Sequence, residues 1–175
     1  MFKTITLYLL LFSLNFYCQN TIFIGNSSYE GTKRMFFSSD GDQFDFSKKD
    51  ATIQFGKKGE NYILYISTKV FNASESLTGS IQLYLSDGST LKLSKKINKD
   101  YVNQTSVAIF SISISEIKKL KNSDIVNIRF NTAIQYGDME GHSVSNYIYR
   151  QEPSRNGGYH YAKETWYTSQ EINKL

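Results

Sequence analysis

The chain has 175 residues, 40% of them hydrophobic and 15% aromatic, with a net charge of +4. That is one domain's worth of chain with ample bulk for a packed core. One cysteine and two histidines exclude a thiolate metal cluster and an internal disulfide framework, and a weak, dispersed positive charge excludes binding of nucleic acid through a concentrated basic face.

The first segment, MFKTITLYLLLFSLNFYCQN, places the cation Lys3 ahead of an apolar run from Ile5 to Tyr17. The run is shorter than the ~20 residues that a membrane helix needs. It has the layout of a secretory signal peptide, so residues 1–19 are expected to be an export leader cleaved after Gln19. A lipid anchor at Cys18 is disfavoured by Tyr17, since lipoprotein signals carry a small residue there. The expected location is secreted or periplasmic, in a bacterial setting. The mature chain, residues 20–175, then has no cysteine, no transmembrane segment and a weaker positive charge.

Strands are expected at Ile22–Ile24, Arg34–Phe37, Gln43–Phe46 and Thr52–Phe55. In Tyr62–Val70 the residues Tyr62, Leu64, Ile66, Thr68 and Val70 share one face, the period of a half-buried antiparallel strand. Ile81, Leu83 and Leu85 alternate, as do Leu91 and Leu93, with Ser86-Asp87-Gly88-Ser89 between them. A two-residue loop would oppose Leu83 to Lys92 and mix the faces. A three-residue loop, Ser86-Asp87-Gly88, opposes Leu83 to Leu91 and Ile81 to Leu93, with Gly88 in the left-handed position of a bulged turn.

Within Ser106–Ile114, both faces of Val107–Ile112 are apolar, which predicts a central strand covered on each side. A short crossover helix is expected over Ser115–Lys121. Ile117 and Leu120 lie on one side, Ser113 or Ser115 caps it, Ser113 with Glu116 has capping-box spacing, and Asn122 ends it in the left-handed region. Val126, Ile128 and Phe130 alternate with polar residues, and Val144–Tyr149 is a further strand. From about residue 136 the chain turns polar but stays aromatic. There Arg155-Asn156-Gly157-Gly158 is a turn joining Tyr147–Tyr149 to Tyr159–Lys163. The end beyond Ser169 is expected to fray.

About eight to ten short strands and one short helix give an all-β, antiparallel β-sandwich in a single domain over 20–175, with a small β-barrel as the alternative. Asp138, Glu140, His142 and His160 offer metal-ligand chemistry but lack a metal-site spacing and read as solvated loop residues. Asp40-Gly41-Asp42-Gln43-Phe44-Asp45 fails the EF-hand pattern because Phe44 stands at a ligand position; a turn is expected, with calcium as the open question. No serine sits in a Gly-x-Ser-x-Gly elbow. No catalytic residue, metal or cofactor is therefore assigned. Tyr159, Tyr161, Trp166 and Tyr167 are the candidate ligand-binding residues, because flat rings with polar tips suit interfaces. The function expected is a non-catalytic exported module with a protein or glycan partner. The alternative is a small secreted hydrolase using dispersed carboxylates or His142.

Overall fold

A computed structural model describes residues 20–39, 49–71, 73–134, 137–153, 157 and 159–175, with the backbone alone for 148–153 and 159–162. The leader with Cys18, the strand expected at Gln43–Phe46 and the aspartate turn Asp40–Asp45 lie outside the described residues. In chain order the elements begin with β1 (Asn20–Ile24), β2 (Ser27–Gly31), β3 (Met35–Ser39), β4 (Ala51–Lys58) and β5 (Asn61–Lys69). Next come β6 (Glu75–Leu85), β7 (Thr90–Leu93), β8 (Lys96–Val102) and β9 (Thr105–Ile112), then helix α1 (Ile114–Asn122). The last part is β10 (Ile125–Ile134), β11 (Met139–Ser145), β12 (Ile148–Pro153), β13 (Tyr159–Glu164) and helix α2 (Thr168–Ile172).

Two antiparallel layers face each other. Sheet I has the order β7-β6-β10-β11 and sheet II the order β3-β4-β5-β9-β8. They are continuous through the pairs Val144↔Ser39 and Ser145↔Ser38 of β11 and β3. The sheet does not close on itself, which selects the sandwich over the barrel. At the open side two side chains bridge the layers. Ser106 Oγ accepts from Leu77 N at 2.9 Å, and Lys96 Nζ donates to Leu77 O at 2.8 Å.

The inward faces are those set by the period of two, except at the start of β10: Val126 was expected on the face of Ile128 and Phe130, but a register shift between Ile125 and Asn127 puts Ile125 in the core and leaves Val126 43% exposed. Phe37, Ile53, Phe55, Leu64, Ile66 and Phe110 of sheet II meet Ile81, Leu83, Ile128, Phe130 and Val144 of sheet I in one apolar core. Each such side chain, fully buried, contributes about 1.5–3 kcal/mol. The β6–β7 register is Leu83↔Leu91 and Ile81↔Leu93. Gly88 sits at φ 83°, with Gly88 N donating to Leu85 O at 3.0 Å and Leu85 N to Ser89 O at 2.9 Å. Gly88→Val is therefore expected to cost about 1–2 kcal/mol through the left-handed backbone alone. Equal urea midpoints for variant and wild type would overturn that reading of the turn.

Helix α1 has the capping box: Ser113 Oγ accepts from Glu116 N at 3.3 Å, and the Glu116 carboxylate accepts from Ser113 N at 2.7 Å. Its end differs from expectation. Ser123 closes it in an extended conformation, and Asn122 does not enter the left-handed region. The reason is tertiary: Ser123 Oγ meets Ser86 Oγ at 2.9 Å and accepts from Asp87 N at 3.1 Å, so the helix end is pinned to the hairpin turn.

Strand β9 is covered on both faces, as its sequence predicts. Ala108, Phe110 and Ile112 enter the main core, while Val107 and Ile109 join Ile22 and Ile63 in a second cluster outside sheet II. The lid on that outer face is the β1–β2 hairpin. It can lie close because Gly56 has no side chain; a Cβ there would stand 3.0 Å from Ile22 Cδ1 of the lid.

Thirteen strands and two helices among the described residues exceed the expected eight to ten and one. The surplus comes from β2 and β8, which show little apolar period, from the strand expected at Val144–Tyr149, which breaks at Asn146 and Tyr147 into the end of β11 and the start of β12, and from α2, where fraying was expected after Ser169. The fraying expectation is overturned. Thr168 and Ile172 are fully buried, and Thr168 Oγ1 accepts from Ile125 N at 2.8 Å. Asp124 Oδ1 accepts from both Ser169 N and Ser169 Oγ at 2.8 Å. A tail that supplies core surface and hydrogen-bond partners does not fray.

Candidate functional site

The structure separates the aromatic candidates of the tail. Tyr159 and Tyr161 lie on β13, opposite Pro153 and Gln151 of β12, in a two-stranded sheet; their side chains are outside the described residues. Trp166 turns inward against the main core, and its backbone is held by Asn146 through reciprocal bonds of 2.8 Å. Its Nε1 is buried without an acceptor among the described residues. Tyr167 points to solvent. The tail thus presents Tyr167 and retains Trp166 for packing.

The loop expected around residues 138–142 is corrected. Met139–Ser145 forms β11, paired with β10 through Phe130↔His142 and Thr132↔Glu140. His142 is buried rather than solvated, 5.2 Å from the Phe130 ring, while Asp138 and Glu140 stay exposed. Among the described residues no three His, Cys, Asp or Glu side chains converge where a metal would sit.

His142 belongs to a buried polar chain that the sequence did not signal. Lys49 Nζ meets Glu75 Oε1 at 2.7 Å, with side-chain exposures of 4% and 7%. Lys49 Nζ also lies 4.5 Å from the Phe71 ring centroid and donates to Lys69 O at 3.4 Å. Phe71 N donates to Glu75 Oε2 at 3.1 Å, and the Thr132 hydroxyl helps to stabilise the same carboxylate. Thr132 Oγ1 is 2.9 Å from His142 Nε2. A hydroxyl has one proton. It goes either to Glu75, with Nε2 of His142 donating to Thr132, or to Nε2, so the His142 tautomer sets the direction of the chain. The chain links His142 through Thr132 to Glu75 and is closed by Lys49. It ties β11, β10 and β6 of sheet I to the entry of β4 in sheet II.

Burial raises the Glu75 carboxyl, but the hydrogen bonds with Lys49, Phe71 N and Thr132 and the Lys49 charge prevail, so it stays below 4.5. Burial pushes His142 below 6.5; Lys49 adds to the fall, and Glu140 and Glu75 oppose it. A folded state that keeps His142 neutral binds fewer protons than the unfolded chain once pH drops below about 6.5. Stability is then lost on acidification, by at most about 1.4 kcal/mol per pH unit from this group. Glu75 titrates in the same direction at lower pH. In urea unfolding at about pH 7.5 and about pH 5, wild type is expected to lose more stability than His142→Gln. Equal losses would show that His142 is not held neutral.

The open surface lies elsewhere. On the outer face of sheet II, beside the β1–β2 lid, is a groove of about 1240 Å³. Its floor carries Tyr65, Ser67, Val107 and Ile109 of the central strands. Three phenyl rings stand around it, Phe23 at 75%, Phe36 at 52% and Phe71 at 66% exposure. Its β8–β9 rim is a two-residue turn in which Asn103 and Gln104 both take positive φ, 48° and 58°, as a type I′ hairpin requires. Residues other than glycine rarely adopt this backbone; here Val70 N donating to Gln104 O at 2.9 Å helps to hold it. The edge strand β8 was missed because it is exposed almost throughout, which removes the hydrophobic period, and the groove it borders was missed with it.

No family model matches this chain, and no curated protein or solved structure matches it significantly.

Proposed function

We propose that this chain is an exported, non-catalytic β-sandwich module that binds a protein or glycan partner, with the groove on the outer face of sheet II as its ligand face. The observation that carries this reading is three exposed phenyl rings set around a floor of paired strands. Exposed apolar groups gathered in one concavity mark binding sites. The leader segment supports export.

A second reading, a small hydrolase, draws on the His142–Thr132 pair and its link to Glu75. Against it, both residues of that pair are buried. Amide NMR of the labelled protein with neutral saccharide and short-peptide mixtures tests both. Shifts at residues 67–71 and 98–105 without product release are the expected result. Product release that disappears in His142→Ala would install the hydrolase. Shifts confined to residues 159–167 would move the ligand face to the aromatic tail.

A further inference from the structure

We infer that the groove binds an uncharged polysaccharide chain, an assignment of ligand class that rests on the binding-module reading. The floor crosses five neighbouring strands, from Phe36 on β3 to Asn98 on β8. Four interstrand steps of about 4.8 Å make it roughly 19 Å long. That is a track for several sugar units rather than a pocket for one small molecule.

The rings supply flat apolar faces, which suit the C–H faces of pyranoses. Phe71 gives one side to the Lys49 ammonium and remains 66% exposed. Between the rings stand planar polar groups held in place by their own backbone. Asn98 Oδ1 accepts from Lys99 N at 2.8 Å, and Asp100 Oδ1 accepts from Tyr101 N at 2.7 Å. Asp50 Oδ1 accepts from Ser39 N at 2.8 Å and Ser39 Oγ at 3.2 Å. In each case the second atom of the planar group, an amide nitrogen or a carboxylate oxygen, has no partner among the described residues and can donate to or accept from a ligand. Asn98 and Asp100 share one face of β8, about 6.6 Å apart along the strand. Donor and acceptor in alternation match hydroxyl pairs, which do both.

Charge decides against the competing occupants. Lys49 is neutralised by Glu75 inside the sandwich. The remaining charges of the lining, Arg34 and Lys69 against Asp50 and Asp100, balance. A balanced lining gives no counterion-release gain with nucleic acid or another polyanion. An apolar peptide face would bury the second oxygen of each of these carboxylates without a partner, which is costly. Sugar hydroxyls satisfy them.

The test is native affinity electrophoresis of the purified protein in gels containing hydroxyethylcellulose, galactomannan, xylan or laminarin, with alginate as the charged comparison. Retardation in at least one neutral gel is expected. Phe36→Ala and Asn98→Ala should each weaken it about tenfold, or 1.4 kcal/mol, at unchanged melting temperature. Arg129→Ala, on the far face of sheet I, should leave it intact. Phe36 is 52% exposed and belongs to neither apolar cluster, so its variant reads the groove rather than the fold. Lack of retardation in every neutral gel, retardation by alginate alone, or retention in both groove variants would overturn the inference. If peptides but not saccharides shift the groove amides in the NMR experiment, the saccharide class falls and the binding-module reading stands. If neither shifts them, both fall.

Discussion

Glu75→Ala is expected to lower the unfolding free energy by about 3–5 kcal/mol at about pH 7. The carboxylate is the anionic partner of a lysine whose side chain is 4% exposed, and it also accepts from Phe71 N and is stabilised by the Thr132 hydroxyl. Its removal leaves an ammonium buried at the entry of β4 and takes an acceptor from Phe71 N and Thr132. The loss comes from the stranded charge, not from the worth of the pair, since desolvating both ions offsets most of their attraction. The double variant Lys49→Met, Glu75→Leu should therefore recover most of the stability. Urea unfolding of the two single variants and the double measures the coupling directly. A single variant within about 0.5 kcal/mol of wild type would mean that the pair is hydrated and that the chain to His142 is not a tie between the sheets.

Deleting residues 168–175 should be comparably severe. Ile172 fills the main core at zero exposure, and loss of such a side chain costs about 2–5 kcal/mol. Thr168 Oγ1 is the acceptor for Ile125 N at the start of β10, and a buried amide left without a partner adds about 1–3 kcal/mol. Asn173 Nδ2 also donates to Lys121 O at 2.9 Å and Lys57 Nζ to Leu175 O, so the tail clamps α1 and β4. For a chain of this size a melting temperature lower by roughly 10 °C or more is expected. An unchanged melting curve would show α2 to be an ornament on a self-sufficient sandwich.

The sequence by itself determined what is local. Period-two alternation assigned the faces of β5 and of Ile128 and Phe130 on β10, because side chains on a strand alternate regardless of what covers them; it misplaced Val126, which a register shift between Ile125 and Asn127 leaves 43% exposed. The β6–β7 register followed from Leu83, Leu91 and one glycine, because a one-residue slip would have exposed every leucine. The capping box of α1 was legible because both partners lie within three residues. The same locality explains the misses. Strand β8 has a ladder but no buried face, so nothing in KINKDYV announces it. Helix α2 is too short to be stable alone and exists because Asp124, Ile125 and Lys121 receive it. Only the tertiary structure decided that Asn122 would yield the helix end to Ser123, whose hydroxyl reaches a hairpin turn 37 residues away. It also decided the fate of the polar residues. Lys49, Glu75, Thr132 and His142 are unremarkable in sequence, and His142 reads there as solvated. Their burial became tolerable only when four distant segments met and each polar group found its partner in the others. Phe23, Phe36 and Phe71 had the opposite fate: they are large and apolar, and the folded sheets left them outside.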